Sequence, residues 1–99
     1  MRPEIVKWFN EWFLNNEERL KQIGLKVTYA EKSEKYPKYF QWVEIESSNK
    51  IGQVIVYDVG TCDTTTLEKK TLKDLEASAT FINSEDEMKE FLEKYVLSL

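Results

Sequence analysis

The sequence predicts an α+β fold with two layers, in which two helices pack on one face of an antiparallel sheet of about five strands. Apolar residues recur at helical spacing at both ends of the chain, and the middle contains runs that alternate with the period of a strand. The connections between these runs are short, which favours a meander with the order α-β-β-β-β-β-α. A length of 99 residues predicts a single domain, 1–99.

The first predicted helix spans residues 3–23, with Pro3 in its first turn and Gly24 just past its end. Its apolar arc consists of Ile5, Trp8, Phe9, Trp12, Phe13, Leu20 and Ile23. Asn16 falls near the middle of this arc, where a polar side chain needs a hydrogen-bond partner. We expect Asn16 to be a largely buried structural residue that ties the helix to the sheet; a functional Asn is the alternative.

Two predicted strands, 25–30 and 39–46, flank a charged segment. We expect residues 31–38, which include Tyr36-Pro37, to form an exposed and mobile loop. The second strand carries large apolar groups on both sides. One side holds Tyr39, Gln41, Val43 and Ile45, and the other holds Phe40, Trp42, Glu44 and Glu46.

The stretch 51–67 contains two β-rich runs on either side of Gly60-Thr61, a pair that fits a two-residue type II′ turn. The third strand is predicted over 51–59 and is apolar on both faces in its middle, as a central strand is. The fourth is predicted over 62–69. This turn would place Asp58 directly opposite Asp63.

Residues 75–82 are predicted to form a fifth strand with Leu75, Ala77, Ala79 and Phe81 on one face; a short helix over 72–79 is the alternative. Ser84 to Glu87 form a capping box, after which an apolar helical repeat begins. The residues of this repeat are Met88, Phe91, Leu92, Tyr95 and Leu99.

The charge balance disfavours nucleic acid as a partner. The chain has 14 basic and 18 acidic residues and a net charge of −4, whereas nucleic-acid binding needs a basic face. The single cysteine excludes an internal disulfide and favours a reducing compartment. The sequence shows no leader and no apolar run long enough to span a membrane, so we expect a cytoplasmic protein without a membrane partner.

No catalytic motif is evident. The chain contains no histidine, no P-loop, no dinucleotide fingerprint and no cysteine pair for zinc, and we predict neither an enzyme nor a cofactor. Nothing nearby in sequence lowers the pKa of Cys62, which we expect to be structural. Asp58 and Asp63 leave three interpretations open: solvated turn acids, contacts to a partner, or a metal or acid–base site.

At this hairpin the residues resemble a known family. Ile51-Gly52, Val54, Val56-Tyr57-Asp58 and Gly60-Thr61-Cys62-Asp63 together are similar to the signature of the TriTu family of bacterial immunity proteins. In that signature a strand ends in Trp and an acidic residue, followed by a small residue, Gly, a variable residue and Cys-Asp. Tyr57 stands here where Trp is usual, and Val59 replaces the small polar residue. The aromatic-rich first helix, the Tyr-Pro segment and the acid-capped last helix agree as well.

The resemblance implies a non-enzymatic antitoxin that binds and neutralises the cognate toxin domain of a polymorphic toxin system. The protein itself is expected to be a monomer or a weak homodimer. One alternative is a small scaffold or interaction protein with a non-toxin partner, and another is a carboxylate-dependent enzyme that uses Asp58 and Asp63. Gly60, Cys62 and Asp63 of the signature have structural interpretations too: turn, packing and turn-proximal acid.

Two helices can cover only one face of a five-stranded sheet, which leaves the other face, the hairpin tip and the 31–38 loop for a partner. We therefore expect partner contacts from the strand aromatics and the two acids, since Tyr and Trp often anchor interfaces and an acid can receive Arg or Lys. The candidates are Tyr39, Trp42, Tyr57, Asp58 and Asp63. Strand alternation cannot place all five on one face.

Overall fold

Five antiparallel strands form one open sheet in the order β1-β2-β3-β4-β5, as the meander prediction requires. The computed structural model describes residues 3–35 and 38–99. The elements are α1 (Pro3–Gln22), β1 (Lys26–Lys35), β2 (Lys38–Glu46), β3 (Lys50–Tyr57), β4 (Thr61–Glu68), β5 (Asp74–Phe81) and α2 (Glu85–Leu97). The α+β class and the order of elements are confirmed.

Both helices lie on the same face of the sheet and bury one core against it. α1 contributes the fully buried Ile5, Phe9 and Phe13, and α2 contributes Met88, Leu92 and Val96. The sheet contributes alternate residues of its central strands, namely Val43, Ile45, Val54, Val56 and Cys62. Period-two alternation therefore assigns one side of β2, β3 and β4 to this covered face, and no described element forms a second layer on the other side.

α1 ends one residue earlier than the sequence predicts. The Leu25 N–H donates to the Leu20 carbonyl (2.9 Å), and the Gly24 N–H donates to the Lys21 carbonyl (3.1 Å). With Gly24 at φ +89°, this is the Schellman arrangement, in which glycine adopts the left-handed conformation after the last helical turn. Ile23 consequently lies outside the helix and is 51% exposed, so its assignment to the buried arc is wrong.

β1 continues through residues 31–35, where we predicted a mobile loop. Ala30 is a bulge, because Tyr29 pairs with Val43 and Glu31 already pairs with Trp42. Next to the bulge, the buried Gln41 side-chain amide donates a hydrogen bond to the Glu31 carbonyl (3.2 Å). Charged residues are compatible with a strand here because β1 is an edge strand with solvent beside it. Tyr36-Pro37 lies outside the described residues.

The β3–β4 hairpin turns through three residues rather than two. Asp58, Val59 and Gly60 connect the strands, the Gly60 N–H donates to the Tyr57 carbonyl (3.0 Å), and Gly60 has φ +105°. This is the hairpin loop in which a turn is followed by one left-handed residue. Asp63 therefore pairs with Ile55, and the prediction that it lies opposite Asp58 is wrong.

The last two elements follow the sequence closely. Residues 74–81 form the fifth strand, so the alternative short helix over 72–79 is wrong. Ser84 caps α2 by accepting a hydrogen bond from the Glu87 N–H (3.1 Å), and the Glu87 carboxylate accepts one from the Asn83 N–H (2.8 Å). At the other end of α2, the Tyr95 hydroxyl reaches Thr66 (2.8 Å) across Gly52, whose missing side chain leaves the space.

Candidate protein-binding face

The sheet surface opposite the helices, here called the open face, is set by the strand register. Trp42 faces Ile55 across the β2–β3 ladder, Ile55 faces Asp63, and Asp63 faces Ala79. On β2 to β5, the residues of the open face are Phe40, Trp42, Glu44 and Glu46 of β2, Ile51, Gln53, Ile55 and Tyr57 of β3, Thr61, Asp63, Thr65 and Leu67 of β4, and Leu75, Ala77, Ala79 and Phe81 of β5. All of them are half-buried or exposed.

Aromatic side chains are concentrated at the hairpin end of the open face. Phe40 pairs with Tyr57, and their ring centroids lie 6.2 Å apart. Phe81 lies on the far side of Thr61 and packs over Gly60, where an added Cβ would lie 3.1 Å from the ring. Trp42 and Ile55 form the next row. Aromatic rings supply large contact areas, so this end of the face can bury much apolar surface against another molecule.

Two acids of the open face, Asp63 and Glu44, form no ion pair within the part of the chain that the structure describes. Asp63 lies between Ile55 and Ala79, and Glu44 lies between Thr28 and Gln53. Neither takes part in any of the ion pairs of the described residues. Glu46 differs, because the Lys69 ammonium lies 3.1 Å from its carboxylate. Asp63 therefore presents a negative charge between apolar neighbours, whereas Glu44 presents one between polar neighbours.

Trp42 carries a further polar feature of this face. Its indole Nε1 is shielded from solvent and finds no acceptor among the described residues. A buried donor without a partner is uncommon in a folded protein, because it loses its hydrogen bond to water without replacing it. Trp42, whose indole N–H lacks an acceptor, lies in the same row of the sheet as Asp63, with Ile55 between them.

The structure brings together three of the five residues predicted to contact a partner. Trp42, Tyr57 and Asp63 share the open face. Tyr39 lies on the opposite side of β2 from Trp42, as strand alternation requires, and lines a groove of about 440 Å³ along α1. Asp58 is 4% exposed in the hairpin loop and not opposite Asp63, and its N–H donates to the Tyr39 carbonyl (3.1 Å).

Sequence reasoning missed several members of this surface. Phe40, Ile55 and Phe81 belong to the open face but were not among the predicted contacts. The signal was present, because strict alternation places Phe40 with Trp42 and places Ile55 with Tyr57. The sequence pattern did not indicate on which side of the sheet the helices pack.

Cys62 lies on the covered face at the centre of the core and is fully buried. Burial, assisted by the negative charge of Asp63, raises the pKa of the Cys62 thiol to about 12. A thiol that keeps its proton is a poor nucleophile, so this environment fits a packing residue. Gly60, the second signature residue, is also structural, because the last position of the hairpin loop has a positive φ that favours glycine.

Asn16 links the two helices, not a helix and the sheet as predicted. Its side chain is half-buried and donates to the Trp12 carbonyl (2.8 Å). Its amide oxygen accepts from the Arg19 guanidinium (3.0 Å), which in turn forms a two-point contact with Glu93 of α2. Asn16 is hydrogen-bonded as predicted, but its connection through Arg19 is to Glu93 of α2 and not to the sheet.

Apart from the open face, a groove of about 520 Å³ lies between α1 and β1 and is lined by Asn10, Leu14, Tyr29 and Gln41 among others. Within residues 3–35 and 38–99, no group of three or more His, Cys, Asp or Glu side chains is arranged to hold a metal ion. Neither described helix is long and apolar enough to cross a membrane.

A large exposed apolar patch on a folded domain marks a surface that binds another molecule, and aromatic residues are enriched at protein interfaces. The chain matches the family model described as Immunity protein TriTu over residues 7–98, which is nearly its whole length. The chain therefore belongs to the TriTu immunity protein family, as the hairpin signature indicates, and its role is that of an immunity protein. None of the curated proteins compared with it gives a match.

Proposed function

We propose that this immunity protein binds a cognate toxin domain through its open face and neutralises it in the bacterial cytoplasm, without a catalytic step. The observation that supports this proposal is the grouping of Trp42, Tyr57 and Asp63 on the uncovered side of the sheet. The family supplies the role of an immunity protein. The aromatic and acidic side chains of the open face make it the surface that we propose for toxin binding.

The aromatic end of the open face suits the centre of an interface. Trp and Tyr are enriched among the residues whose truncation weakens protein complexes most. Four aromatic rings lie within this end: Phe40, Trp42, Tyr57 and Phe81. A stable interface covers roughly 800 Å² on each partner, so a partner seated on these rings would extend over much of the open face.

The charge of the face indicates the chemistry of the partner. Asp63 and Glu44 are available to a cation, since neither is engaged by the ion pairs of the described residues. A toxin surface that presents Arg or Lys between apolar groups would complement them, and long-range attraction to a chain of net charge −4 would speed association. Inhibition follows if the docked sheet covers the toxin's substrate site.

The positions of Asp58 and Asp63 do not support the alternative of a carboxylate-dependent enzyme. It required Asp58 and Asp63 to be neighbours on one face, whereas Asp63 faces Ile55 and Asp58 is buried in the loop. A scaffold role with a non-toxin partner would use the same open face. Identification of the partner separates this alternative from the toxin-binding proposal.

The test is co-expression of this chain with the C-terminal domain of the toxin encoded by the neighbouring gene. We expect growth of cells that the toxin domain alone arrests, together with co-purification of the two chains. Tyr57→Ala should abolish protection, while Tyr39→Ala, a half-buried tyrosine on the opposite side of the adjacent strand, should preserve it. Protection without co-purification, or equal effects of the two variants, would contradict the proposal.

A further inference from the structure

The two edges of the sheet differ in their protection against pairing with another strand. In β1, five of the ten residues are charged, and the bulge at Ala30 interrupts the middle of the strand. Charged side chains and bulges are the features by which edge strands avoid edge-to-edge association. β5 has a register shift only at its beginning, and Glu76 is the one charged residue in 75–81. The β5 edge is thus open to a further strand.

The backbone groups at this edge can be assigned from the ladder. The Ile82 N–H donates to the Gly60 carbonyl (2.7 Å) and so points toward β4. Because successive residues of an antiparallel strand point their N–H and C=O groups to alternate sides, those of Ala77, Ala79 and Phe81 point outward. No strand of the described chain pairs with this side of β5.

We propose that a second copy of this chain pairs with β5 in antiparallel fashion, with the two-fold axis at Ser78. In this register Ala77 of each copy lies opposite Ala79 of the other. The outward-pointing N–H and C=O groups of these two residues then form hydrogen bonds with each other. The two sheets become one sheet of ten strands, and their open faces become continuous. This proposal is independent of the identity of any toxin partner.

The side chains of β5 favour this register over its neighbours. It brings Leu75 beside Phe81 of the second copy, and these are large apolar side chains that are 48% and 56% exposed in the single chain. It places Glu76 opposite Thr80 of the second copy, so no like charges face each other. An axis at Ala77 would instead place Phe81 opposite Lys73, and an axis at Ala79 would place Leu75 opposite Asn83.

Cysteine substitution at the axis tests both the partner and the register. Two copies of Ser78 would form a non-hydrogen-bonded pair with Cα atoms about 4.5 Å apart, within the range that a disulfide spans. Glu76→Cys is the matched control on the same side of β5, because its two copies would lie about 13 Å apart along the strands. The native Cys62 is buried and does not interfere.

Under mild oxidation, Ser78→Cys should form a covalent dimer at least about tenfold faster than Glu76→Cys. In sedimentation velocity, the wild-type chain should show concentration-dependent dimerisation, and Ala79→Pro should shift it to monomer. Proline at this position removes an outward N–H and leaves the β4–β5 ladder intact, which circular dichroism can verify. Equal oxidation rates would overturn the proposal, as would a wild-type chain that stays monomeric at all concentrations. An Ala79→Pro variant that dimerises normally but loses toxin binding would assign the edge to the toxin instead.

Discussion

Asp63 pairs with Ile55 across the β3–β4 ladder, and this register places its carboxylate on the open face while Asp58 is buried in the hairpin loop. A two-residue turn would have put the two acids opposite each other. The third loop residue, with Gly60 at φ +105°, shifts β4 relative to β3. The chain thereby presents a single acid in the aromatic row of the sheet, not a carboxylate pair.

Gly52 holds the space for the end of α2. A Cβ at this position would lie 2.6 Å from the Tyr95 hydroxyl oxygen and 3.0 Å from Leu99. We expect Gly52→Ala to lower the free energy of unfolding by about 1–3 kcal/mol, because Tyr95 must leave its hydrogen bond with Thr66. Urea denaturation measures this change. Tyr95→Phe removes the nearest atom, so in that background the cost of Gly52→Ala should be smaller; additive costs would contradict this explanation.

The Asn16–Arg19–Glu93 network should contribute modestly to stability. The side chains of Arg19 and Glu93 are about two-fifths exposed, so solvent screens the ion pair, which we expect to be worth under about 1 kcal/mol. Asn16→Ala should cost about 1 kcal/mol because it removes hydrogen bonds to Trp12 and Arg19. A double-mutant cycle between Asn16→Ala and Glu93→Gln should show coupling that decreases in high salt. Strict additivity at low salt would contradict the network.

Cys62 should make stability fall in alkaline solution. Burial raises the pKa of its thiol from 9.0 to about 12, so between these values the folded chain holds a proton that the unfolded chain releases. The free energy of unfolding should therefore decrease as pH rises through this window, by up to about 1.4 kcal/mol per pH unit from this group. Urea denaturation at pH 8, 9 and 10 measures the slope.

Cys62→Ala is the control for that slope. It should leave a shallower pH dependence, to which Tyr29 and Tyr95 still contribute because burial raises the pKa of both hydroxyls. Toxin binding should persist in this variant, since Cys62 belongs to the covered face. Identical slopes for wild type and variant would show that the thiol does not titrate as described.

The sequence predicted the order of the elements because each carries a strong local pattern. The apolar repeat of α2, the capping box at Ser84 and the alternation of β2 are set by residues close together in the chain. The hairpin register was not predictable in this way, because Gly60 satisfies either a two-residue or a three-residue loop. The extension of β1 was missed because charged residues at an edge strand resemble those of a loop.

The candidate site was predictable only in part for a similar reason. Alternation shows which strand residues share a side, and it correctly groups Trp42 with Phe40. The side that faces the helices depends on packing between elements distant in sequence, as does the partner of Asn16, which is reached through Arg19 to Glu93. These contacts are set by the whole fold, not by any local window.

Partner binding through the open face is tested most directly by the affinity of Trp42 and Asp63 variants for the toxin domain. Trp42→Ala should weaken binding by at least about 2 kcal/mol, or roughly thirtyfold in Kd, if it is a central anchor. Asp63→Asn should weaken binding and reduce its dependence on salt, because it removes the charge that receives a cation.

Titration calorimetry with the toxin domain at low and high salt gives these Kd values, with Tyr39→Ala as the control from the covered side. We predict weakened binding by both open-face variants, a flatter salt dependence for Asp63→Asn, and unchanged binding by Tyr39→Ala. Wild-type affinity and wild-type salt dependence in folded Trp42→Ala and Asp63→Asn chains would contradict binding through the open face.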